Sequence, residues 1–167
     1  MTETLRDFTA LKQACADPST IRDLIASLQG GFGTMNVGTA AQTKNFTTSY
    51  VALGGYTASF TSADVTADKT AGTLTVSSKG LYLVWFTATV LDAGESAVIS
   101  LAIHKDGKEH QGARQEATMT ATLEIPMSGM DIIECPSGTE AFDLRVKGSA
   151  GTTGSNWIAT FGIKRVG

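Results

Sequence analysis

Two histidines, His104 and His110, are the side chains of this 167-residue sequence whose ordinary pKa would let them move protons near neutral pH. Acid–base catalysis through either needs a positioned partner. His104 closes the apolar run Leu101-Ala102-Ile103 beside Asp106-Gly107, and His110 sits in Lys108-Glu109-His110-Gln111, so both read as solvated turn residues. No Gly-x-Ser-x-Gly elbow and no His-Glu-x-x-His helix occurs to build a nucleophile or a zinc protease site. Acidic pairs would offer calcium chemistry, with Asp64 and Asp68 in one loop and Asp92 and Glu95 in another, but neither loop has the dense oxygen spacing that ion requires. Glu124, Glu134 and Asp143 could form a hydrolytic carboxylate site between subunits, yet acids on the solvent face of strands ordinarily serve solubility. The chain is therefore expected to be no enzyme and to carry no metal and no cofactor.

Cys15 and Cys135 lie far apart with no Cys-x-x-Cys spacing, and are expected to be free thiols packing as small apolar residues. Asn45-Phe46-Thr47 matches a glycosylation sequon, read as chance in a chain without a secretion signal. A net charge of −3, a pI near 5.3 and no Lys/Arg cluster argue against nucleic acid as a partner. The longest strictly apolar run, Leu81 to Phe86, is too short to span a bilayer, so no membrane association is expected. The amino terminus, Met1 to Asp7, lacks the apolar core of a secretion signal, which predicts synthesis in a cytoplasm.

With chemistry so thinly represented, the positioning elements become the informative part. Residues 2 to 30 read as two short amphipathic helices, the first carrying Leu5, Phe8, Leu11 and Cys15 on one stripe, the second Ile21, Leu24, Ile25 and Leu28. Such short helices are marginal alone, so their stripes must dock on the body, on each other or on a larger partner. Gly30-Gly31-Phe32-Gly33 reads as a flexible joint. This gives an N-terminal attachment segment with linker over 1–34 and a head domain over 35–167.

The head is rich in threonine, 24 residues in the chain against three prolines, which favours strands. Strands are predicted at Phe46–Leu53, Gly72–Val76, Gly80–Val90, Ala97–His104, Ala117–Ile125, Asp131–Cys135, Ala141–Lys147 and Trp157–Val166, with Asp106-Gly107 as a hairpin turn. Gly80–Val90 is unusual in being apolar on both faces. Tyr82, Val84, Phe86, Ala88 and Val90 line one, and Leu81, Leu83 and Trp85 line the other before Thr87 and Thr89 take over. One face can fill a core; the other needs a second partner, either another copy of the chain or the N-terminal helices. The expected fold is all-β, an antiparallel jelly-roll sandwich of about eight to ten strands with a short helical N-terminal segment.

The order and spacing of these strands resemble the superfamily of tumour necrosis factor and the globular heads of complement and short-chain collagens. The resemblance rests on Gly80-Leu81-Tyr82-Leu83-Val84, on Leu101-Ala102-Ile103-His104-Lys105-Asp106-Gly107, on Gly138-Thr139 before Phe142-Asp143-Leu144-Arg145-Val146, and on the closing strand Trp157 to Ile163. It implies a compact homotrimer whose inner sheet faces the threefold axis, placing Leu81, Leu83 and Trp85 at the interface. No collagen-like repeat precedes the head, so the version it is most similar to is the phage one, found on capsid decoration proteins and fibre tips. That implies a non-enzymatic virion protein, attached to a phage capsid or tail protein through Leu5, Phe8, Leu11, Ile21, Leu24, Ile25 and Leu28. The alternative is the receptor-binding head of a tail or head fibre, with small polar loops near Asp92–Ser96 and Gly148–Ser155 touching a host-surface receptor.

Overall fold

The computed structural model describes residues 30–37, 42–91, 97–119, 124–149 and 152–167. The predicted N-terminal helices with the stripe Leu5, Phe8, Leu11, Ile21, Leu24, Ile25 and Leu28 fall outside the described residues, as do Cys15 and the predicted Asp92–Ser96 loop. The unit Gly31–Gly167 is a jelly-roll sandwich, with twelve strands among the described residues, in two antiparallel sheets.

Its strands are β1 (Phe32–Asn36), β2 (Gln42–Phe46), β3 (Val51–Ala52), β4 (Ala58–Thr61), β5 (Val65–Asp68), β6 (Thr73–Val76), β7 (Gly80–Leu91), β8 (Ala97–Lys105), β9 (Lys108–Met119), β10 (Ile125–Cys135), β11 (Ala141–Gly148) and β12 (Thr152–Arg165). The first sheet runs β10-β7-β12-β1-β4, with β2 also on β12; the second runs β5-β6-β11-β8-β9, with β3 on β11.

The core follows from period-2 alternation. Tyr82, Val84 and Phe86 on β7 and Phe161 and Ile163 on β12 are fully buried, and meet Leu74, Leu101, Ile103, Phe142 and Leu144 from the second sheet. Full burial of each such aliphatic or aromatic side chain contributes about 1.5–3 kcal/mol. Trp157 is part of this core, its ring edge-on to Tyr56 at 5.5 Å between centroids. The β8–β9 hairpin turns where expected. Asp106 (φ 51°) and Gly107 (φ 77°) both adopt the left-handed conformation that a two-residue primed turn demands.

Several predicted features differ. Phe32 and Gly33, read as a joint, are the start of β1, pairing with Lys164 and Ile163 of β12; the glycines masked its alternation. The predicted strand Phe46–Leu53 is instead the end of β2 and the two-residue β3. The predicted strand Ala117–Ile125 straddles the end of β9 and the start of β10. β9 starts at Lys108, where the polar sequence Lys-Glu-His-Gln carries no apolar alternation, because Glu109 and His110 meet the polar partners Tyr50 and Asp131 instead of the apolar core. Lastly, the short strands β4 and β5 were not predicted: all four β4 residues are exposed, so burial wrote no pattern into it, and β5 turns only Val65 and Ala67 inward, too short a period to read.

Side-chain bonds close one side of the sandwich. His110 Nδ1 lies 3.0 Å from Asp131 Oδ2, too poorly aligned for a hydrogen bond but an ion pair when the ring is protonated. Gln115 Oε1 accepts the Ser128 amide, and Lys105 Nζ donates to the Glu134 carbonyl at 2.8 Å. The β10–β11 turn is held from within. Glu140, 4% exposed, accepts the Ser137 amide at 2.8 Å and the Thr139 amide at 3.0 Å.

Candidate functional site

The outward faces of the two sheets differ in chemistry, and the difference locates the candidate site. On the second sheet, cross-strand register places His104 between Asp143 and Glu109, and Ser100 between Lys147 and Glu116. Tyr50 lies over this polar surface. Its hydroxyl bonds Ser100 Oγ at 2.8 Å and Glu109 Oε1 at 3.1 Å, its ring meets His104 edge-on at 4.8 Å, and Lys147 Nζ sits 4.5 Å from the ring centroid. Arg145 Nε donates to Asp143 Oδ2 at 2.8 Å, while Arg114 pairs with Glu109 and Glu116. These groups pair largely with one another beneath Tyr50, and His104 Nε2 is left buried without a partner.

His104 is thereby corrected. It is buried, not a solvated turn residue, with Nδ1 against the Gly107 carbonyl at 3.2 Å. Burial lowers its pKa, outweighing the bond to Gly107 and the nearby carboxylates. Its ring lies against that of Tyr50, and His110 faces Asp131. Among the acids considered for hydrolysis, Asp143 is held by Arg145, and Glu124 and Glu134 are exposed. Asp68 Oδ1 accepts the amides of Thr70 and Ala71, both at 2.9 Å, which gives it the work of a turn cap. Burial also pushes the Cys135 thiol up to about 12, the thiol of a packed apolar residue.

The first sheet turns a different face outward. Reading across its strands, one row is Met130, Trp85, Gly162, Thr34 and Phe60, and the next is Ile132, Leu83, Lys164 and Phe32. Leu81 follows below, opposite Glu134. Met130 and Phe60 are each 68% exposed and Ile132 is 57% exposed, with Leu81 also exposed and Leu83 and Trp85 half-buried. Isolated exposed apolar residues are ordinary, but Met130, Ile132, Leu81, Leu83 and Trp85 adjoin one another on β10 and β7, and such a set on one sheet face marks an interaction surface. Leu81, Leu83 and Trp85 are thus brought together as the alternation predicts, on the face opposite Tyr82, Val84 and Phe86.

Gly162 shapes this surface. A Cβ there would overlap the Trp85 indole, so glycine lets the ring lie flat across β12. Beside it, Leu83, Trp85, Thr87, Ser128 and Met130 line a groove of about 490 Å³. Met130, Ile132, Phe60 and Phe32 were missed as site residues. The signal for the first two was present, since Met130-Asp131-Ile132-Ile133 alternates once β10 is extended backward to pair with β7.

No protein-family model matches the sequence, and no curated protein does. Among solved structures the chain is similar to the globular domain of zebrafish complement 1qA protein, with a TM-score of 0.54 and 12% identity over 83% of this chain and 98% of that one. At that identity the likeness is one of fold: two antiparallel sheets in the jelly-roll arrangement of a complement-type globular head.

Proposed function

We propose that this chain is a non-enzymatic structural virion protein, a homotrimeric knob that decorates or reinforces a phage capsid and attaches through its N-terminal segment. The observation that carries the reading is the contiguous apolar face of the first sheet, centred on Trp85 and flanked by Met130, Ile132, Leu81 and Leu83. Left in water such a face is a liability, and three copies packed on one another remove it. The similarity to a complement-type head supports the trimer as the form of that packing. Three linked tails, each with the stripe Leu5, Phe8, Leu11, Ile21, Leu24, Ile25 and Leu28, would turn individually weak contacts into durable attachment. The protein would be made in the host cytoplasm and function in the virion.

Size exclusion with light scattering tests the self-association. The expected mass is near three times 17.4 kDa for the wild type and 17.4 kDa for Trp85→Asp, whose charge cannot be buried unpaired at an interface. A Trp85→Asp protein that remains trimeric overturns the interface. Attachment is tested by a chain beginning at Gly31, the first residue of the compact unit, mixed with capsids that lack the protein. Loss of co-sedimentation is expected, and undiminished binding refutes the anchor.

A further inference from the structure

We infer that copies associate by an unlike contact, in which the Phe60–Phe32 lobe at one edge of the first sheet packs into the Leu83–Trp85–Met130 groove at the opposite edge of the next copy. This rests on the self-association reading above and specifies which surface meets which.

The apolar face is two lobes. Met130, Ile132, Trp85 and Leu83 sit on β10 and β7, whereas Phe60 and Phe32 sit on β4 and β1. Four strand spacings separate β10 from β4, about 19 Å at the usual distance between neighbouring strands. Gly162, Thr34 and Lys164 occupy the ground between, contributing no side chain, a hydroxyl and a charge.

The lobes also differ in form. Phe60 is a protrusion, 68% exposed on a four-residue edge strand and in tilted contact with Phe32 at 5.4 Å between centroids. The other lobe is concave, the groove of about 490 Å³ between β7 and β10. A convex aromatic pair and an apolar groove complement each other and not themselves. Contact between like lobes would leave the second pair of lobes in water, while contacts of unlike lobes bury both in every copy, reciprocally in a pair or head to tail in a ring, and the trimer proposed above selects the ring. Closure after three copies removes every free lobe.

Cysteine cross-linking tests the pairing. The full chain is used on a Cys15→Ser background; the buried Cys135 does not compete for a maleimide. Phe60→Cys and Met130→Cys chains carrying different tags are co-expressed and treated with a short bismaleimide. Covalent dimers between the two tags are expected, with no dimer from either variant expressed alone, and the Phe60→Cys/Met130→Cys double variant should give a ladder ending at three chains. Links between like cysteines, a ladder ending at two, or no link in a preparation whose light-scattering mass is trimeric each overturn the inference. The last result leaves the trimer standing; a monomeric wild type removes both. Where Phe60→Cys itself weakens assembly, Ala58→Cys on the same exposed strand takes its place.

Discussion

Glu140→Gln is expected to cost roughly 3 kcal/mol of stability at neutral pH and to erase most of the acid dependence between about pH 4.5 and pH 2. Burial alone would raise this carboxyl, but the amides of Ser137 and Thr139 donate to it and hold its pKa down at about 2. The folded state therefore keeps the carboxylate at pH values where the unfolded chain has taken up a proton. For a group depressed in this way the stabilisation is fully present above the unfolded value and drains away as pH falls toward the folded one. Glutamine retains one acceptor but turns an NH2 toward one of the two amide donors, leaving a donor facing a donor in a buried turn. Urea midpoints of wild type and Glu140→Gln between pH 2 and pH 7 are the check. The two curves should converge at the acid end, and a constant separation at every pH would show that the carboxylate charge is not what stabilises the turn.

Gly162→Val is expected to weaken self-association about 100-fold, roughly 3 kcal/mol, with the monomer still folded. The added Cβ takes the space of the Trp85 indole, which must lift off β12 and lose the flat surface that a second copy meets. Trp85 is half-buried on the outward face, so its displacement leaves the core between the sheets untouched. Shortening the displaced side chain should restore the fit: Gly162→Val with Trp85→Leu is expected to associate more tightly than Gly162→Val alone. Dilution series by light scattering read both, with circular dichroism reporting the fold. Unchanged association of Gly162→Val would mean that the Trp85 side of the sheet faces water in the assembly.

How much of this was legible in the sequence depends on what each strand buries. β11 was readable because its large apolar residues alternate with charges, and β7 because its run of apolar and aromatic residues is bounded by Gly80 and closes on the alternating Thr87 and Thr89; both cross the core. β4 was not readable, because a strand with no buried face carries no apolar period, and the first half of β9 was not, because Glu109 and His110 turn polar groups to Tyr50 and Asp131. The same reasoning explains the site. Leu81, Leu83 and Trp85 betray a second buried face within one strand, whereas Phe60 and Met130 belong to it only through a register that pairs residues 45 apart and joins β4 to β10 across three intervening strands. His104 was misread for a related reason. Its cover is Tyr50, brought over it from elsewhere in the chain, and no local pattern announces a contact at that separation.

The two tryptophans occupy unlike surroundings, Trp157 sealed in the core and Trp85 half-open on the outward face of the first sheet. Intrinsic fluorescence consequently divides into two reporters that need no label. The emission of Trp157 stays at short wavelength until the sandwich unfolds, while that of Trp85 tracks water at the apolar face and shifts with whatever covers it. Subtracting the spectrum of a Trp85→Phe protein isolates the second signal, so dilution, partner binding and denaturation can be followed separately in one cuvette.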